Sequence, residues 1–104
     1  MEKGVLTNLI KSVIKKEDPL AQIILFGSRA RNDARQESDW DILVLLNKAN
    51  VTLKDEQYIR HKLYDIELES GEALSTFVYS MNDWNTKLSV TPFYENVQRE
   101  GIYL

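Results

Sequence analysis

Two short apolar runs, Gln22 to Phe26 and Asp39 to Leu46, lie close together in the chain, and each is bounded by turn-forming residues. Nothing else in the sequence constrains the fold as much. Runs this short with apolar side chains on both faces are buried strands rather than helices. The segment between them is too short for a parallel crossover, so the two strands are expected to pair antiparallel. Gly27 ends the first strand, and Ser28 is expected to cap a turn or two of helix over Arg29 to Ala34. Gln36 to Ser38 then serves as connector.

The remaining elements follow from periodicity. Val5, Leu6, Leu9, Ile10, Val13 and Ile14 recur at helical spacing, with Lys11, Lys15 and Lys16 on the other side, which predicts an amphipathic helix over about residues 3 to 16. Asp18-Pro19 stops it. Ile59, Leu63 and Ile66 predict a long helix from Leu53 to Ser70 that Gly71 terminates. Ala73 to Tyr79 reads as a third strand. Asn82 or Asp83 is expected to cap a short helix through Trp84. Thr91-Pro92 opens a last helix to about Glu100, and Ile102-Tyr103-Leu104 is a candidate edge strand. The long helix between strands two and three implies a parallel, right-handed crossover. The expected fold is therefore α/β in the α+β sense, a small mixed sheet packed with helices in one or two layers. At 104 residues it is expected to be a single domain, residues 1–104.

This topology brings the end of strand one and the starts of strands two and three to one edge of the sheet. Gly27, Ser28, Asp39, Asp41 and the first residues of strand three should converge there. Side chains alternate along a strand, so Asp39 and Asp41 point the same way, and two carboxylates so placed can share hard cations. Mg²⁺ suits them, because it takes one or two protein carboxylates and completes its shell with water and substrate phosphates. Gly27 lets a phosphate approach the backbone, Ser28 offers an N–H and a hydroxyl, and Arg29 and Arg31 can add charge-assisted contacts to phosphate oxygens. Taken alone, a bare Asp-x-Asp or Gly-Ser is an ordinary turn; the combination at this spacing, with an apolar strand on each side, is not.

Gly27-Ser28, ten residues, then Asp39-Trp40-Asp41, set within Ile-Leu-Phe-Gly-Ser-Arg-Ala-Arg and Ser-Asp-Trp-Asp-Ile-Leu-Val, resembles the DNA polymerase beta-like nucleotidyltransferase superfamily, and within it the minimal nucleotidyltransferases of bacteria and archaea. The order of elements agrees over nearly the whole chain. The resemblance implies a nucleotidyltransferase fold and transfer of a nucleoside monophosphate from a nucleoside triphosphate, ATP being the expected donor, to a hydroxyl. Asp39 and Asp41 are then the catalytic, Mg²⁺-holding pair, with Gly27, Ser28, Arg29 and Arg31 on the nucleotide. It further implies association with a helical HEPN-type partner in a toxin-antitoxin pair. One position departs from the pattern. Active members usually supply a third carboxylate from the start of strand three, where this chain has Ser75, a poor Mg²⁺ ligand and a weak base. Glu72 is the first candidate to substitute, with Glu67 and Glu69 behind it. A catalytically weak nucleotide-binding module that serves as antitoxin is the alternative reading.

Composition excludes other classes. Apolar residues at 43% and charged residues at 28% describe a chain that folds, and 13 Lys and Arg against 16 Asp and Glu give a net charge of -3, against wholesale binding to nucleic acid or an anionic membrane. Without cysteine there are neither disulfides nor thiolate metal sites. No apolar stretch suits a membrane span or a leader, so a cytoplasmic location is expected. His61, flanked by Arg60 and Lys62, reads as a surface residue. Trp40 is expected to pack beneath the site. Trp84, Phe93 and Tyr94 either close a small core or face a partner, and the sequence leaves oligomeric state open, a homo-oligomer included.

Overall fold

The computed structural model describes all 104 residues, Met1–Leu104. In chain order the elements are α1 (Lys3–Glu17), β1 (Gln22–Phe26), α2 (Ser28–Arg31), β2 (Trp40–Leu46), α3 (Leu53–Ser70), β3 (Leu74–Ser80), α4 (Met81–Asn85), α5 (Pro92–Glu100) and β4 (Ile102–Tyr103). The strands form one mixed sheet in the order β3-β2-β1-β4. β1 runs antiparallel to both β2 and β4, whereas β2 and β3 are parallel, as the connector lengths require. No helix is long and apolar enough to cross a membrane.

Because β1 and β2 are apolar on both faces, the sheet can be covered on both sides, and it is. This replaces the expected one or two layers with three. On one face Leu6, Ile10 and Ile14 of α1 and Ile59, Leu63 and Ile66 of α3 pack onto Ile23, Leu25, Ile42 and Val44. On the other, Trp84 of α4 and Val97 of α5 pack onto Ile24, Leu43 and Leu45. Trp84, Phe93 and Tyr94 thus close this second core, with Phe93 in contact with Phe26, Phe77, Tyr79 and Trp84. Val5, counted in the apolar stripe of α1, instead faces solvent. His61 is exposed on α3, as its charged neighbours imply.

Several boundaries move for identifiable reasons. α2 spans only Ser28–Arg31 because Asn32 takes a left-handed conformation (φ 64°, ψ 26°) that ends it. Its cap is Gly27, so Ser28 is the first helical residue and not the cap. α4 is capped by Ser80, the last residue of β3, whose Oγ accepts the Asp83 N–H at 3.0 Å; neither Asn82 nor Asp83 caps it. α3 begins with a full capping box between Thr52 and Asp55.

Candidate active site

The antiparallel and parallel registers put Phe26, Asp41 and Ser75 in one row across three strands. Strand alternation carries Trp40, Ile42 and Val44 to the α1/α3 face, so Asp41, Leu43 and Leu45 look toward α4 and α5. Asp41 therefore sits at the sheet edge beside the aromatic layer of Phe26, Phe77 and Phe93, whose ring centroids are 5.3–5.7 Å apart. Asp39 lies just ahead of β2 and not within it. The first ladder bond belongs to Trp40, whose N–H donates to the Ala73 carbonyl at 2.8 Å.

Gly27 and Asp41 are built against each other. Gly27 has φ 72° and ψ -158°, and a Cβ placed on it would lie 2.1 Å from Asp41 Oδ2. Only glycine admits both the backbone conformation and the carboxylate. Burial pushes the Asp41 carboxyl above its ordinary value, and the charge of Asp39 adds to the rise; Arg31 opposes it, while Glu100 reinforces it. Two oxygen-donor side chains that repel each other in this way fit a divalent cation placed between them, since the cation removes the repulsion.

The two arginines after Gly27 separate. Arg31 faces the site, where its Nη1 donates to Glu100 Oε2 at 2.9 Å and its Nε to Asp33 Oδ2 at 3.1 Å. Arg29, expected on phosphate, turns to the other side of the sheet. Its Nη2 donates to the carbonyls of Gln36 (3.1 Å) and Ser38 (2.9 Å), and its guanidinium lies over the Trp40 ring, 4.6 Å from the centroid. Its role is to hold the connector that delivers Asp39. Trp40 is buried beneath the site, as expected.

Glu72, the expected stand-in for a third carboxylate, is not at the site. It accepts from Trp40 Nε1 at 3.1 Å and lies 4.0 Å from Arg29, on the far side of the sheet from Asp41. Glu67 is spent on the Leu74 N–H at 3.1 Å, and Glu69 belongs to the groove between α1 and α3. No group of three carboxylate or histidine side chains is arranged to hold a metal ion. The acidic residue that does reach the turn is Glu100, which sequence reasoning overlooked. Its Oε1 accepts the Gly27 N–H at 3.2 Å, from the end of α5. The trace of it in the sequence is the short edge strand. Ile102 pairs with Leu25, so stepping back along α5 while stepping forward along β1 sets Glu100 beside Gly27.

Residues 8–102 match the family model described as "Polymerase beta, Nucleotidyltransferase". The chain belongs to that family. Two proteins of Methanocaldococcus jannaschii, each named "Putative protein adenylyltransferase", are 34% identical to this nucleotidyltransferase. One aligns over 93 residues, covering 89% of this chain and 85% of its own length, and the other over 94 residues, covering 90% and 85%. A solved structure described as "Crystal structure of the toxin-antitoxin with AMP-PNP" shares the fold, with TM-score 0.67 and 20% identity over 92% of this chain and 69% of that one. The Gly-Ser turn and paired aspartates of this nucleotidyltransferase thus stand on a fold shared across nearly its whole length.

Proposed function

We propose that this nucleotidyltransferase binds ATP as its Mg²⁺ complex and transfers the adenylyl group to a hydroxyl, forming the new O–Pα bond as the Pα–O–Pβ bond breaks and releasing pyrophosphate and the hydroxyl proton, with a protein side chain as the favoured acceptor. The observation that carries the reading is the contact between Gly27 and Asp41, which joins a phosphate-accepting turn to a cation-binding carboxylate with no side chain between them. Asp39 and Asp41 would hold Mg²⁺, which when bound supplies charge neutralisation of the triphosphate and activation of the attacking oxygen. The backbone N–H groups at Gly27 and Ser28 would take phosphate oxygens, and Arg31 would add a guanidinium to them. Arg29 enters only through the connector it holds. The names of the two archaeal relatives favour ATP as donor and protein as acceptor. A cytoplasmic location is consistent with this chemistry.

Incubation with Mg²⁺, labelled ATP and candidate acceptors tests the reading. Label transfer is expected from the native chain and from neither Asp39→Ala nor Asp41→Ala; transfer that survives both substitutions refutes the aspartate mechanism.

A second reading has its own observation. Ser75 stands beside Asp41 in register where a third carboxylate is expected, and Glu72 points elsewhere. We infer from this a slower or inactive protein whose work is nucleotide-dependent association with a helical HEPN-type partner, in keeping with the toxin-antitoxin description of its structural neighbour. Nucleotide binding without transfer to any acceptor, accompanied by formation of such a complex, would decide for it.

A further inference from the structure

Glu100 is unusual among the acidic side chains because both of its oxygens rest on donors that a triphosphate would use. Oε1 accepts the Gly27 N–H and Oε2 the Arg31 guanidinium. A carboxylate and a phosphate oxygen pair present much the same fork to such donors. The side chain is held there. It is only 16% exposed, and Gly101 behind it fits tightly, because a Cβ at that position would lie 2.5 Å from the Val97 carbonyl and 2.7 Å from Ile24 Cγ2. The end of α5 therefore cannot drift from β1 without breaking this packing.

Charge sharpens the point. Asp39, Asp41 and Glu100 surround the turn, and Asp33 shares Arg31 with Glu100. Arg31 bonds Glu100 and Asp33 and acts on Asp41 only through its charge; Arg99 adds a more distant charge to Glu100 while bonding Asn96. Arg29 is committed to Gln36, Ser38 and Trp40. A bare polyanion arriving here meets carboxylates on several sides and finds its two best donors occupied. A cation-complexed triphosphate brings the charge that lets it compete.

We propose that Glu100 is a specificity-determining residue of the nucleotide site: in the free protein it stands in for a phosphate on Gly27 and Arg31, and it yields those donors to metal-complexed nucleotide in preference to the metal-free anion. The inference rests on the nucleotide-binding reading above. Selection of this kind would keep inorganic phosphate and uncomplexed nucleotide off the turn.

The test is equilibrium titration of a non-hydrolysable ATP analogue into the native protein and Glu100→Gln, each in Mg²⁺ and in EDTA. Glutamine keeps the shape and one acceptor but removes the charge. In EDTA the variant should bind about tenfold more tightly than the native protein, with a smaller change in Mg²⁺, so the ratio between the two conditions narrows. Binding in EDTA that is unchanged or weaker in the variant overturns the proposal while leaving nucleotide binding intact. Absence of binding by both proteins in both conditions refutes the nucleotide reading itself, and this proposal with it. A readout on the native chain guards against a poorly folded variant. The Gly27 amide resonance should shift when Mg²⁺ and analogue saturate the protein, and an amide that stays in place at saturation overturns the exchange of donors.

Discussion

Gly27→Ala probes the joint between fold and chemistry, and its effect can be worked from geometry. Gly27 occupies a region of backbone space, φ 72° and ψ -158°, that residues with a Cβ avoid at a cost of about 1–3 kcal/mol. The added methyl would also fall 2.1 Å from Asp41 Oδ2, so the carboxylate must leave its rotamer at roughly 0.5–1.5 kcal/mol more. The expected loss is about 2–4 kcal/mol in urea unfolding, or a fall in Tm of about 10–20 °C for a chain of this size. Part of that loss belongs to the contact with Asp41 and should disappear when Asp41 is truncated. In a double-mutant cycle, Gly27→Ala in an Asp41→Ala background should be less damaging by about 0.5–1.5 kcal/mol. Metal affinity should fall with Gly27→Ala as well, since Asp41 is displaced. A variant within about 0.5 kcal/mol of the native protein, with no coupling to Asp41, would refute the claim that the turn and the carboxylate are fitted to each other.

Other substitutions separate structural from chemical roles. Arg29→Lys gives up the paired carbonyl bonds and the face of Trp40, so it should cost about 1–2 kcal/mol and expose residues 33–38 to limited proteolysis, with nucleotide affinity reduced less than by Arg31→Lys. Asp41→Asn tests a trade between stability and function. Burial, then Asp39, raises the Asp41 carboxyl, so the folded state holds its proton more tightly than the unfolded chain and loses stability as pH rises through the folded value. Without metal, the asparagine variant should melt above the native protein at neutral pH. The difference should vanish below the ordinary carboxylate range, and the variant should gain nothing from Mg²⁺ in the same thermal scans. Asp55 behaves oppositely, because Lys48 and the Thr52 N–H lower its carboxyl to about 2. Its contribution is complete above the ordinary value and is lost as pH falls from about 4 to about 2, so Asp55→Asn should flatten the acid limb of the Tm profile.

What the sequence made legible was what local pattern encodes. The apolar runs of β1 and β2, the capping Thr91-Pro92 of α5 and the helical crossover before β3 each depend on a few neighbouring residues, and together they fix which strand ends meet. The edge carrying Gly27, Ser28, Asp39 and Asp41 follows from that alone. Facing was harder. Arg29 and Arg31 both follow the same turn, but two steps along a helix rotate a side chain by roughly 200°, so one faces the site and the other Trp40. Glu72 was within reach of a parity argument. Asp41 pairs with Ser75, so a residue three before Ser75 falls with Leu74 and Thr76 toward α1 and α3, away from the aspartates. Glu100 was hardest to read because its partner Gly27 is 73 residues away: the edge strand was visible in the sequence, but its pairing with β1, which brings the two together, was not.

That long-range contact alters how the site's charge should be understood. An edge built from Asp39, Asp41 and Glu100 is uneasy without cations: the Asp41 carboxyl is raised by burial and by both acidic neighbours, and Arg31 is divided between Glu100 and Asp33. The packing that enforces this proximity lies elsewhere, in Gly101 pressed against Val97 and Ile24 and in the aromatic layer of Phe26, Phe77 and Phe93. Core stability far larger than the local repulsion holds like charges where they would not settle unaided. A cation bound there would gain the release of that repulsion, supplied in advance by folding. The absence of a third aspartate at Ser75 weakens the local field on one side, and Glu100 strengthens it on the other, next to the donors and not next to Ser75. On the proposed reading, the carboxylate added at the turn would govern which nucleotide complex enters, while the one missing from β3 would set how fast anything is transferred.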